Sequence, residues 1–88
     1  MDDLRERIMG MYKTIDGLLR NREFSKCDEV LQNVDVSGLN EVQLVGYLRI
    51  TFPARNELPY WRTLLDEVKT ELKERDEYDN SIFVGLEY

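Results

Sequence analysis

The sequence predicts an all-α fold, a compact four-helix domain built on an N-terminal αα-hairpin and closed by a short apolar C-terminal tail. Three observations predict it. Apolar residues recur three and four apart in four separate stretches, which is the spacing of one helical face. Pro53, Pro59 and the turn Asp35-Val36-Ser37-Gly38 punctuate those stretches. The chain has 88 residues, 42% of them hydrophobic, which is enough for one modest core and too little for two. Residues 1–88 therefore read as a single domain, with helices over about 3–20, 22–34, 41–52 and 59–77 and a tail over 80–88.

In the first helix Leu4, Ile8, Met11, Ile15 and Leu18 make the stripe, widened by Met9, Tyr12 and Leu19. Asp2 and Asp3 suit its start, and Asn21 suits a left-handed residue after its end. Gly10 and Gly17 share one side, where a neighbouring backbone could approach or the helix could flex. With Met9 and Met11 they also permit a self-association face. The second helix carries Phe24, Cys27, Leu31 and Val34, and its short connection to the first makes the two antiparallel neighbours.

The third helix has the best-marked start. Asn40 can cap it, Gln43 can complete a capping box, and Leu39 and Leu44 fit the hydrophobic staple. Val42, Val45, Leu48 and Phe52 form its stripe, with Leu44, Tyr47 and Ile50 around it, so this helix should be central. Pro53 ends it, residues 54–58 read as a loop, and Pro59 fits the first turn of the fourth helix. There Trp61, Leu64, Leu65, Val68 and Leu72 face the core. From Asp66 to Asp79 seven acids stand against Lys69, Lys73 and Arg75, which accounts for most of the chain's net charge of −6. Glu71 and Arg75 are placed for an i,i+4 pair. In the tail Ile82, Phe83, Val84 and Leu86 should pack on the bundle or dock on a partner.

The stretch Asp35-Val36-Ser37 … Tyr47-Leu48-Arg49-Ile50-Thr51-Phe52-Pro53-Ala54-Arg55 … Leu58-Pro59 joins a Glu-Leu-Lys-Glu-Arg run at 71–75 and a closing Gly85-Leu86-Glu87. Over residues 18–87 this pattern resembles small helical proteins of tailed bacteriophages and prophages. The resemblance implies a phage origin and a place in the infected bacterial cytoplasm. It implies no activity and carries over no functional residue.

Chemistry is limited by what is missing. With no His, one Cys, no GxxxxGK[ST] loop and no GxGxxG, the chain offers no catalytic, cofactor or metal constellation. A domain this small also has little room for a cavity of several hundred Å3 beside its core. Cys27 lies on an apolar stripe and reads as a buried structural thiol. The acidic N-terminus lacks the basic and apolar regions of a signal peptide, and no apolar run is long enough to span a bilayer. A net negative chain is a poor direct binder of nucleic acid.

What remains is binding to a protein, host or phage, by an enzymatically inert module that blocks or organises its partner. Arg49, Arg55, Tyr60 and Arg62, around the third-to-fourth helix connection, are residue types that anchor interfaces. One alternative is a virion or assembly component that self-associates. The other is an acidic mimic of nucleic acid that presents Asp66, Glu67, Glu71, Glu74 and Glu77 to a basic groove.

Overall fold

A computed structural model describes residues 12–86. The N-terminal half of the first predicted helix, with Gly10 and the Met9/Met11 stripe, lies outside them. Among the described residues the protein is all-α. Helix α1 covers residues 12–20, followed by α2 (Phe24–Gln32), α3 (Glu41–Thr51) and α4 (Trp61–Glu74). Two 3-10 segments, Phe52–Glu57 and Asn80–Phe83, flank α4. Helix α3 packs on α4, and α4 also packs on α2.

The prediction of a central α3 holds: Gln43, Leu44, Val45, Tyr47, Leu48 and Thr51 are all buried, more than half of its length. Asn40 and Gln43 close the capping box from both sides, with N···O distances of 2.9 and 2.8 Å. Val42 departs from its predicted stripe and is 76% exposed. The buried arc centres on Leu44, and Val42 sits roughly 200° around the helix from it. Trp61, wholly buried, meets the edge of Phe52 at 5.7 Å and donates its indole N–H to the Leu48 carbonyl at 3.3 Å.

Helix ends account for most differences from the predicted bounds. After α1 the left-handed residue is Arg22 (φ 57), one position beyond Asn21. Its N–H reaches the Leu19 carbonyl and the Glu23 N–H reaches Leu18, so α2 cannot begin at 22. Helix α2 stops at Gln32 because Asn33 and Val34 make three-residue turns back to Val30 and Leu31. The same Schellman geometry ends α4 at Glu74. Asp76 is left-handed (φ 62), its N–H meets Lys73, and the Glu77 N–H meets Leu72. The predicted loop at 54–58 is instead largely 3-10 helix, with Pro53 in its first turn. Pro59 lies just before the N-cap of α4 rather than in its first turn. Asp28 of α2 accepts the Tyr60 N–H there at 2.9 Å.

Close approach occurs at Gly46, not at Gly17, which has open space around it. A side chain at 46 would collide with the Tyr12 hydroxyl, which donates to the Gln43 carbonyl at 3.2 Å. The tail packs in cis. Phe83 and Leu86 are buried, Tyr78 stacks on Phe83, and Arg49 donates to the Ile82 carbonyl at 2.8 Å. Val84 is the exception, at 72% exposed.

Candidate functional site

Helix α4 and the α2–α3 connection bound an open groove of about 570 Å3. Asp66, Glu67, Glu71 and Glu74 line it from α4, with Asp35 and Val36 opposite. No Lys or Arg lines it. The alternating signs along α4 therefore separate in space. The Lys73 ammonium sits 4.8 Å from the centre of the Tyr78 ring and Lys69 sits 5.5 Å from that of Phe83, both toward the tail. Glu77 departs from the predicted acidic face. It lies past the helix end, where its backbone closes the Schellman turn, and it does not line the groove.

Arg75 joins the two walls of this groove, where the sequence predicts only an i,i+4 pair on the helix. The pair exists, at 3.4 Å to Glu71 with both side chains about four-fifths buried. The guanidinium also donates to the carbonyls of Leu39, Val36 and Ser37 at 2.8, 2.9 and 3.0 Å. One planar fork thus ties the end of α4 to the α2–α3 connection, its donors spread in a fixed geometry that the single ammonium of Lys lacks. Asp35 shapes that connection by accepting from the Gly38 N–H at 3.2 Å and the Ser37 hydroxyl at 3.1 Å.

The predicted Arg/Tyr corner is divided among internal tasks. Arg49 holds the tail through Ile82. Arg55 lies 3.9 Å over the Phe52 ring and donates to the Phe52 carbonyl at 2.9 Å. Tyr60 donates its hydroxyl to Glu67 at 2.9 Å, which raises the phenol's pKa and joins this residue to the acidic groove. Arg62 is exposed on α4. Cys27 is fully buried, and burial followed by the charge of Asp28 raises its pKa, so the thiolate is disfavoured.

A second groove, of about 670 Å3, runs between α1 and α2. Leu18, Val30, Val34 and Leu39 form its apolar walls, and Tyr47 of α3 lines it as well. Tyr47 is 1% exposed, and among the described residues its hydroxyl has no hydrogen-bond partner. Burial, then the neighbouring Tyr12, raises its pKa, so it is an O–H donor at neutral pH. Both grooves are of the size that the short chain was expected to lack, because they are open at the surface and displace no core.

Among the described residues no group of three acids or thiols could hold a metal ion, and no helix is long and apolar enough to cross a membrane. Comparison with known proteins returns no matching family, no matching curated protein and no matching solved structure.

Proposed function

We propose that this chain is a protein-binding module without enzymatic activity, phage-encoded and acting in the cytoplasm of the infected bacterium. Its groove between α4 and the α2–α3 connection receives a basic segment of a host or phage protein, which is thereby blocked or organised. One observation supports this reading above the others: five carboxylates line one groove from two sides with no Lys or Arg among the lining residues, Glu71 alone of its wall being tied to the Arg75 clamp. Such a field speeds encounter with a basic partner and selects its register, and salt weakens it. Apolar Val34 and Val36 give the middle of the partner segment a dry surface to rest on.

The test is affinity capture from infected-cell lysate at low and high salt, using the chain and a variant carrying Asp66→Lys and Glu74→Lys. Both residues are exposed. The reading expects a partner held at low salt and lost from the variant. Equal retention by both chains sinks it.

A second reading, mimicry of nucleic acid, draws on the spacing of Glu67, Glu71 and Glu74. They span roughly 10 Å of α4, one charge per about 5 Å against one per about 3.4 Å along a strand of duplex. Under that reading the captured partner is a nucleic-acid-handling protein, and added single-stranded DNA displaces it. A virion role instead predicts that the chain sediments with purified particles.

A further inference from the structure

We propose that a second copy of this chain docks in the groove between the end of α1 and the 3-10 segment after α3, forming a two-fold dimer in which Arg22 of each copy pairs with Glu57 of the other. This face is separate from the acidic groove, and the dimer does not rest on the function proposed for that groove.

The groove has a volume of about 730 Å3 and two walls. Asp16, Leu19, Arg22 and Phe24 come from α1, its connection to α2 and the start of α2. Ile50, Pro53, Ala54 and Glu57 come from the end of α3 and the 3-10 segment. The apolar lining is only part covered: Leu19, Phe24, Ile50 and Ala54 are half-buried and Pro53 is exposed. Asp16 is matched within the chain, by Arg20 at 3.0 Å. Arg22 on one wall and Glu57 on the other are exposed, and among the described residues neither has an ion-pair partner.

Those two charges choose the occupant. A partner of one sign would set a like charge against either Arg22 or Glu57. A second copy, turned about a two-fold axis through the groove, lays each wall against the opposite one and so brings Arg22 to Glu57 twice. The apolar lining of both copies then leaves water, while the charge pairs fix the register. The acidic groove cannot serve in this way, because two copies of it repel each other. No residue of α4 lines the groove at the end of α1, so the acids of that helix are not part of the contact face.

The experiment is sedimentation velocity of the full chain from roughly 1 μM to 1 mM, which should show a monomer–dimer equilibrium. Arg22→Glu alone, or Glu57→Arg alone, sets like charges together at both contacts and should weaken dimerisation by about tenfold or more. Mixing the two variants restores opposite charges at both contacts, so the mixture should associate as the parent does although neither variant does so by itself. Both residues are exposed, and circular dichroism of each variant should match that of the parent. On dilution of the parent, the NMR signals of Leu19, Phe24 and Ile50 should shift. A parent chain that stays monomeric overturns the proposal. So do single variants that dimerise like the parent, a mixture no stronger than its components, or a dilution response confined to other residues.

Discussion

Val34 and Asp35 border both grooves, yet the two sites are opposite in kind. On the α4 side their neighbours are carboxylates, and the wall is held by an arginine fork. On the α1 side Leu18, Val30 and Leu39 make aliphatic walls, with Lys26, Glu29 and Asn33 of α2 and its end beside them. The difference shows that one short connection can border two grooves of unlike chemistry when each facing helix decides the lining. It also shows where each surface is vulnerable: the acidic groove through its clamp, the apolar groove through its packing.

The strongest way to break the pairing is Arg75→Met. It removes three bonds to carbonyls of the α2–α3 connection and leaves Glu71 without its partner. Urea unfolding should report a loss of about 3 kcal/mol. A loss under about 1 kcal/mol would show that the connection is held by apolar contacts instead. Next comes Gly46→Ala, which pushes on Tyr12 and through it on the Tyr47 ring beside the apolar groove. A destabilisation of about 1–2 kcal/mol is expected in the same assay. Smaller and opposite in sign, Tyr47→Phe should stabilise the chain by about 1 kcal/mol, because it deletes a buried donor without an acceptor among the described residues. Destabilisation by that substitution would mean that the hydroxyl is already satisfied within the protein. Smallest of all, Asp66→Lys with Glu74→Lys should leave the thermal midpoint unchanged within about 2 °C, since both side chains are exposed. Their effect should appear in binding alone.

Local signals made much of the fold legible in the sequence. The Asn40/Gln43 box, the breaks around the prolines, the core face of Trp61, Leu64, Leu65, Val68 and Leu72, and the burial of Cys27 follow from spacing and from side-chain chemistry within a few residues. The sites were less legible because they are made by distant segments. Arg75 and the Val36 carbonyl are 39 residues apart, and Asp28 meets Tyr60 across 32. Asp66, Glu67, Glu71 and Glu74 were visible as a charged face. That the lysines beside them would turn to Phe83 and Tyr78 depends on where the tail packs. The apolar groove had no signal, because Leu18 and Val34 read as stripe positions and Leu39 as a staple beside a cap, and all three are only half-buried. Val42 misled because an apolar residue next to a cap joins a stripe on paper, whereas the partners of α3 lie on its opposite side.

Arg22 and Asp76 end α1 and α4 in a conformation that glycine adopts without steric strain and that they do not. Reinforcing the chain should therefore be simple. Arg22→Gly and Asp76→Gly relieve about 1 kcal/mol each, offset in part by the freedom that glycine adds to the unfolded chain. A doubly substituted chain that melts above its parent would give a tougher scaffold, on which damaging changes at Arg75 or Gly46 could be studied without losing the fold.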